Sequence, residues 1–130
     1  MLRLAKNKSE LNVVADQVGT PTPARLIANV TALAIRSQLK TGLYNLTARG
    51  ATSWHGFAKE IFELATVTGE ELTLSSENVY PIPTSDYPTP AERPLNSRLD
   101  VTRLEQALSI RLPDWQNQLV LTLGEYLEKR

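Results

Sequence analysis

Apolar residues recur along this chain with two different spacings, and the change between them marks its elements. Leu26, Ile27, Val30, Leu33 and Ala34 fall on one helical face and predict a helix from about Ala24 to Lys40. Trp54, Phe57, Ala58, Ile61, Leu64 and Ala65 do the same from Trp54 to about Val67, and Gly69 supplies the stop. Trp115, Leu119, Leu123 and Tyr126 mark a last helix opened by Pro113-Asp114, and Leu104, Ala107 and Leu108 a short one capped by Asp100. Thr22 is the candidate N-cap of the first long helix, with Pro23 at its first helical position. Leu2, Leu4 and Ala5 among Arg3, Lys6 and Lys8 read as the end of an amphipathic helix, which points to a chain cut from something longer. Leu11 to Asp16, Gly42 to Thr47 and Leu72 to Ser75 read as short strands. Strand and helix alternate without an internal repeat, which predicts an α/β fold.

One stretch breaks both periods. Tyr80 to Leu99 holds five of the eight prolines (Pro81, Pro83, Pro88, Pro90 and Pro94), each fixing φ and removing an N–H donor. Neither a helix nor a central strand is expected there, but a stiff extended strap carrying polar side chains. Such straps also serve as linkers or partner ligands. This one ends in Arg93-Pro94-Leu95-Asn96-Ser97-Arg98, two guanidinium groups and an amide that suit a phosphate or a sugar hydroxyl.

The strap's Tyr87-Pro88-Thr89-Pro90-Ala91, Arg93-Pro94 and Asn96-Ser97-Arg98-Leu99 closely resemble the dTDP-4-dehydrorhamnose reductases, in the extended short-chain dehydrogenase/reductase superfamily. The likeness extends through Asp16-Gln17-Val18-Gly19-Thr20-Pro21-Thr22, Gly42 to Leu46, Thr52-Ser53-Trp54-His55 and Leu112 to Gln116. It covers nearly the whole chain but only the C-terminal part of such an enzyme. It implies the substrate-binding portion of an extended reductase, lacking the Rossmann half. Residues 1–130 would be a single substrate-binding domain, with the strap at 80–99 inside it. The family's reaction is hydride transfer from NADPH to dTDP-4-dehydro-L-rhamnose, giving dTDP-L-rhamnose for polysaccharide biosynthesis.

Composition narrows the classes. Fourteen basic residues balance fourteen acidic ones, so no overall field draws nucleic acid or an anionic membrane. No apolar run reaches bilayer length and the N-terminus lacks a signal-peptide core. There is no cysteine, and the whole suits a cytoplasmic protein. No Gly-x-Gly-x-x-Gly occurs, and no Tyr is followed by Lys four residues later. By the resemblance, NADPH and the catalytic Tyr/Lys pair then belong to a missing N-terminal half, and this chain alone is not catalytic.

Arg93 and Asn96 are assigned by resemblance to the pyrophosphate or nucleotide of a dTDP-sugar, with Arg98 beside them or tying down the strap. Gln17 and the turn holding Thr20, Pro21 and Thr22 are either a plain strand-to-helix connection or a ligand-facing helix start. Trp54 is core or ligand platform; Tyr44 and Trp115 read as core. His55, the only histidine, reads as a surface or packing residue. Some relatives hold Mg²⁺ at a dimer interface with glutamates; Glu125 matches one, but the other position is Arg25, a cation that speaks against the metal and leaves Glu125 a solvated helix residue. In the resembling fold the strand at 42–47 joins the nucleotide-binding sheet, so its free edge predicts self-association. A second class, a non-catalytic partner-binding subunit like the regulatory chain of methionine adenosyltransferase, would use the strap for docking.

Overall fold

The computed structural model describes residues 1–129. Its contacts divide the chain into two compact units, Met1–Gly19 with Thr52–Ser97, and Thr20–Ala51 with the chain from Arg98 onward.

The first unit is built around one helix. Helix α1 (Leu2–Ala5) leads to strand β1 (Leu11–Val14) and the short β2 (Val18–Gly19); β3 (Thr52–Ser53) runs into α3 (Trp54–Val67), and β4 (Val79–Ile82) follows. Helix α3 starts where Ser53 Oγ accepts the Gly56 N–H at 3.1 Å, satisfying one of the free donors of the first turn. It stops in a Schellman arrangement: Gly69 adopts φ +91°, Glu70 N–H reaches Ala65 O at 2.9 Å and Gly69 N–H reaches Thr66 O at 3.0 Å. Ala58 and Ala65 are fully buried, and the lack of bulk on that face lets α3 lie close on β1 and β4. Phe62 fills the centre at 1 % exposure.

Strands β1 and β4 pair in parallel, Leu11 beside Val79 through Val14 beside Ile82, while β2 and β3 pair antiparallel. The strap therefore begins as a strand, which the proline count did not predict. A two-stranded sheet has an open edge on each strand, where the N–H that Pro81 lacks costs no ladder bond. The strand expected at Leu72–Ser75 does not form. Leu74 N–H donates to Ala5 O at 2.9 Å and Thr73 Oγ1 to Lys6 O at 2.9 Å, so the segment ties down the end of α1 instead. Lys6 and Glu70 add an ion pair at 2.5 Å. His55 Nε2 hydrogen-bonds Val79 O at 2.9 Å, a packing role that joins α3 to β4.

The second unit holds α2 (Ala24–Arg36), α4 (Thr102–Leu108) and α5 (Trp115–Glu128). Leu26 and Val30 of α2 are buried, as are Trp115, Leu119 and Leu123 of α5; Tyr126, expected in the same stripe, is exposed. Helix α2 stops at Arg36, short of Lys40, before Gln38 turns to φ +49°. Thr22 does not cap α2. Its hydroxyl donates to Thr20 O at 3.0 Å and accepts the Ala48 N–H at 3.1 Å, and the extended Pro23 takes the N-cap position. Asp100 accepts the Thr102 N–H at 2.9 Å, a capping bond made from one residue before the N-cap Val101.

Residues 42–47, expected as a strand, form no ladder. Side chains hold them instead: Arg103 donates to Leu43 O at 3.0 Å and lies 4.8 Å from the Tyr44 ring centroid, and Asn45 Nδ2 donates to Asp100 O at 3.0 Å. Tyr44 is thus half-buried under a guanidinium rather than part of the core. Arg49 and Asp114 form an isolated bridge, and beside it Gly50 sits at φ +82°, where a Cβ would stand 3.0 Å from Trp115 Cδ1.

Candidate functional site

The first unit contains an open cleft of about 740 Å³. It is lined by β1 and Ile82 and by Gln17 and Trp54. The strap contributes Asp86, Tyr87, Thr89 and Arg93 to the lining. Three residues singled out in the sequence, Gln17, Trp54 and Arg93, therefore meet at one cleft. Trp54 is 46 % exposed and stands edge-on to Phe57 at 6.4 Å, so it lines the cleft rather than the core.

Two anchors hold the strap. After β4 it makes a 3-10 turn, Thr84–Asp86, a helical turn inside a stretch expected to be wholly extended. The Asp16 carboxylate clamps that turn: Thr84 N–H reaches its two oxygens at 3.0 and 2.9 Å, and Thr84 Oγ1 donates to Oδ1 at 2.6 Å. The hydroxyl of Thr84, then its backbone N–H, hold the Asp16 carboxyl below its ordinary pKa. Gln17 Nε2 donates to the same Thr84 Oγ1 at 3.1 Å. At the far end Val18 N–H donates to Leu95 O at 2.8 Å and Ser97 N–H to Val18 O at 2.9 Å. Gly19 permits this approach, since a Cβ there would fall 2.5 Å from Ser97 Oγ.

Tyr87, Thr89 and Arg93 lie between the anchors. Tyr87 is 57 % exposed, and Arg93 is exposed and enters none of the ion pairs among the described residues. An unpaired guanidinium beside two accessible aromatic rings is a composition that takes up an anion attached to a ring.

The other expected site residues are placed differently. Asn96 is bridged to Val18 at the far anchor and does not line the cleft. Thr20, Pro21, Thr22 and Arg98 belong to the second unit, where Thr20 Oγ1 donates to Gly50 O at 2.7 Å and Thr22 braces the turn. Asn12, Tyr87 and Thr89 line the cleft without having been singled out. Tyr87 and Thr89 carried a signal, because both stand in the strap motif; Asn12 carried none beyond alternation along β1.

Glu125 is not merely solvated. Arg25 meets it fork to fork, Nη1 on Oε1 and Nη2 on Oε2. Among the described residues no group of three or more His, Cys, Asp or Glu is arranged to hold a metal ion, and no helix is long and apolar enough to cross a membrane. Nor do these residues suit a dinucleotide: both sheets have two strands, and no glycine-rich turn leads from a strand into a helix.

The family model of the RmlD substrate binding domain matches residues 1–128. The chain belongs to that family. It is 48% identical over 129 residues to a dTDP-4-dehydrorhamnose reductase of Escherichia coli, covering 96% of this chain and 42% of that protein. A dTDP-4-dehydrorhamnose reductase of Burkholderia thailandensis is 41% identical, over 99% of this chain and 46% of its own length. Among solved structures, a dTDP-4-dehydrorhamnose reductase from Bacillus anthracis in complex with NADP is similar with a TM-score of 0.82 and 31% identity, covering 95% of this chain and 41% of that one. The chain thus spans less than half the length of these relatives. Its short strands alternating with helices are the α/β fold of that partial match, as expected from the sequence.

Proposed function

We propose that this chain is the nucleotide-sugar-binding portion of a dTDP-4-dehydrorhamnose reductase. The observation that carries the reading is the meeting of Gln17, Trp54 and Arg93, far apart in sequence, at one cleft of a chain matched throughout by a substrate-binding family. Arg93 pairs with the diphosphate as a two-pronged donor, and the doubly anchored strap lowers the entropy lost when that contact forms. Trp54 and Tyr87 offer ring faces to the pyrimidine and the sugar. In this reading NADPH and the proton-donating groups belong to residues outside this chain, which spans less than half the length of its relatives. The chain's own contribution is to bind and orient the substrate.

Calorimetric titration of dTDP into the chain and its Arg93→Ala variant tests this. Loss of the charge-assisted contact predicts affinity weaker by about tenfold or more. Equal affinity in the two proteins would remove Arg93 from the site.

A further inference from the structure

The near anchor of the strap also fixes what Gln17 recognises. An ionised carboxylate only accepts hydrogen bonds, so the single hydroxyl proton of Thr84, 2.6 Å from Asp16 Oδ1, is committed to Asp16. The two backbone contacts from Thr84 N–H to the same carboxylate keep Asp16 in its ionised, accepting form. Thr84 Oγ1 then has only lone pairs to offer its other neighbour. Gln17 meets it with Nε2 at 3.1 Å. The orientation of that amide follows from counting protons, since an Oε1 turned toward Thr84 Oγ1 would set two acceptors against each other. What remains of the Gln17 amide is the second N–H of Nε2 and Oε1, which accepts from no donor among the described residues, on a half-buried side chain that lines the cleft.

We propose that Gln17, oriented through Thr84 by Asp16, reads a hydrogen-bond donor on the bound nucleotide sugar, with Thr84 the positioning residue that sets this polarity. The inference rests on the nucleotide-sugar reading of the cleft. Two groups of such a ligand supply the donor: the imide N–H of the pyrimidine and a hydroxyl of the sugar.

The test compares dTDP with N3-methyl-dTDP, and dTDP-rhamnose with its O-methylated analogues, on the wild-type chain and on Gln17→Met, Thr84→Val and Thr84→Ser. The wild type is expected to bind one donor-bearing ligand about three- to tenfold more tightly than its masked analogue. A preference in the first pair assigns the imide, and in the second the sugar hydroxyl. Gln17→Met and Thr84→Val should abolish the preference, while Thr84→Ser, which keeps the hydroxyl, should retain it. A structural defect alone would weaken both members of a pair alike, leaving the preference intact. Wild-type chain that binds dTDP but ignores both masks, or variants that keep the preference, overturn the inference and leave the cleft reading standing. Failure of wild-type chain to bind any of the four ligand types overturns both.

Discussion

Glu105 Oε1 accepts the backbone N–H of Leu112 at 2.8 Å, across the loop that joins α4 to α5. Its other oxygen accepts Arg49 Nη1 at 2.7 Å, so one carboxylate ties three segments of the second unit together. Leu112 is 2 % exposed, and water cannot readily replace the lost acceptor there. Glu105→Ala is expected to cost about 1–3 kcal/mol, measured by urea unfolding. A midpoint unchanged from wild type would show that the loop does not depend on this carboxylate.

Three carboxyls, Asp16, Asp100 and Glu105, have pKa values lowered by hydrogen bonds to their ionised forms, chiefly from Thr84, Thr102 and the Leu112 N–H respectively. A group whose pKa is depressed by folding binds protons more readily in the unfolded chain. Its contribution is complete above the unfolded pKa and lost as pH falls through the folded one. Stability should therefore hold from neutrality down to about pH 5 and decline below about pH 4. Thermal melts across this range check the sign, and a decline that is complete by pH 6 would contradict it.

Phe62 is the largest side chain buried in the first unit, and truncating it leaves a cavity beneath α3. Phe62→Ala should destabilise by about 3–5 kcal/mol. A loss below about 1 kcal/mol would mean that the unit is loosely packed around this ring.

Phe62 also shows where the sequence was legible and where it was not. Helical spacing located α3 to the residue, yet the stripe drawn from Trp54 passed Phe62 by, since the buried arc is set by which face meets β1 and β4. Trp54 opens onto the cleft for the same reason. Local apolarity misplaced the strands at 42–47 and 72–75, because a strand exists only where a partner edge is available; Arg103 and Ala5 satisfy those segments instead. Prolines marked the strap correctly as special but hid its pairing with β1. Of the residues that line the cleft, Arg93, Gln17 and Trp54 were singled out in the sequence. The clamp of Asp16 on Thr84 spans 68 residues and has no local signature.

The most direct test of the nucleotide-sugar cleft is an indole NMR titration of the chain with dTDP. The chain has two tryptophans, one half-exposed in the cleft and one buried in the second unit at 5 % exposure, so each spectrum carries its own control. The predicted result is a saturable shift of the Trp54 indole, accompanied by the amides of Gln17, Tyr87 and Arg93, with Trp115 unmoved. A folded chain in which saturating dTDP leaves the Trp54 indole in place would contradict the account.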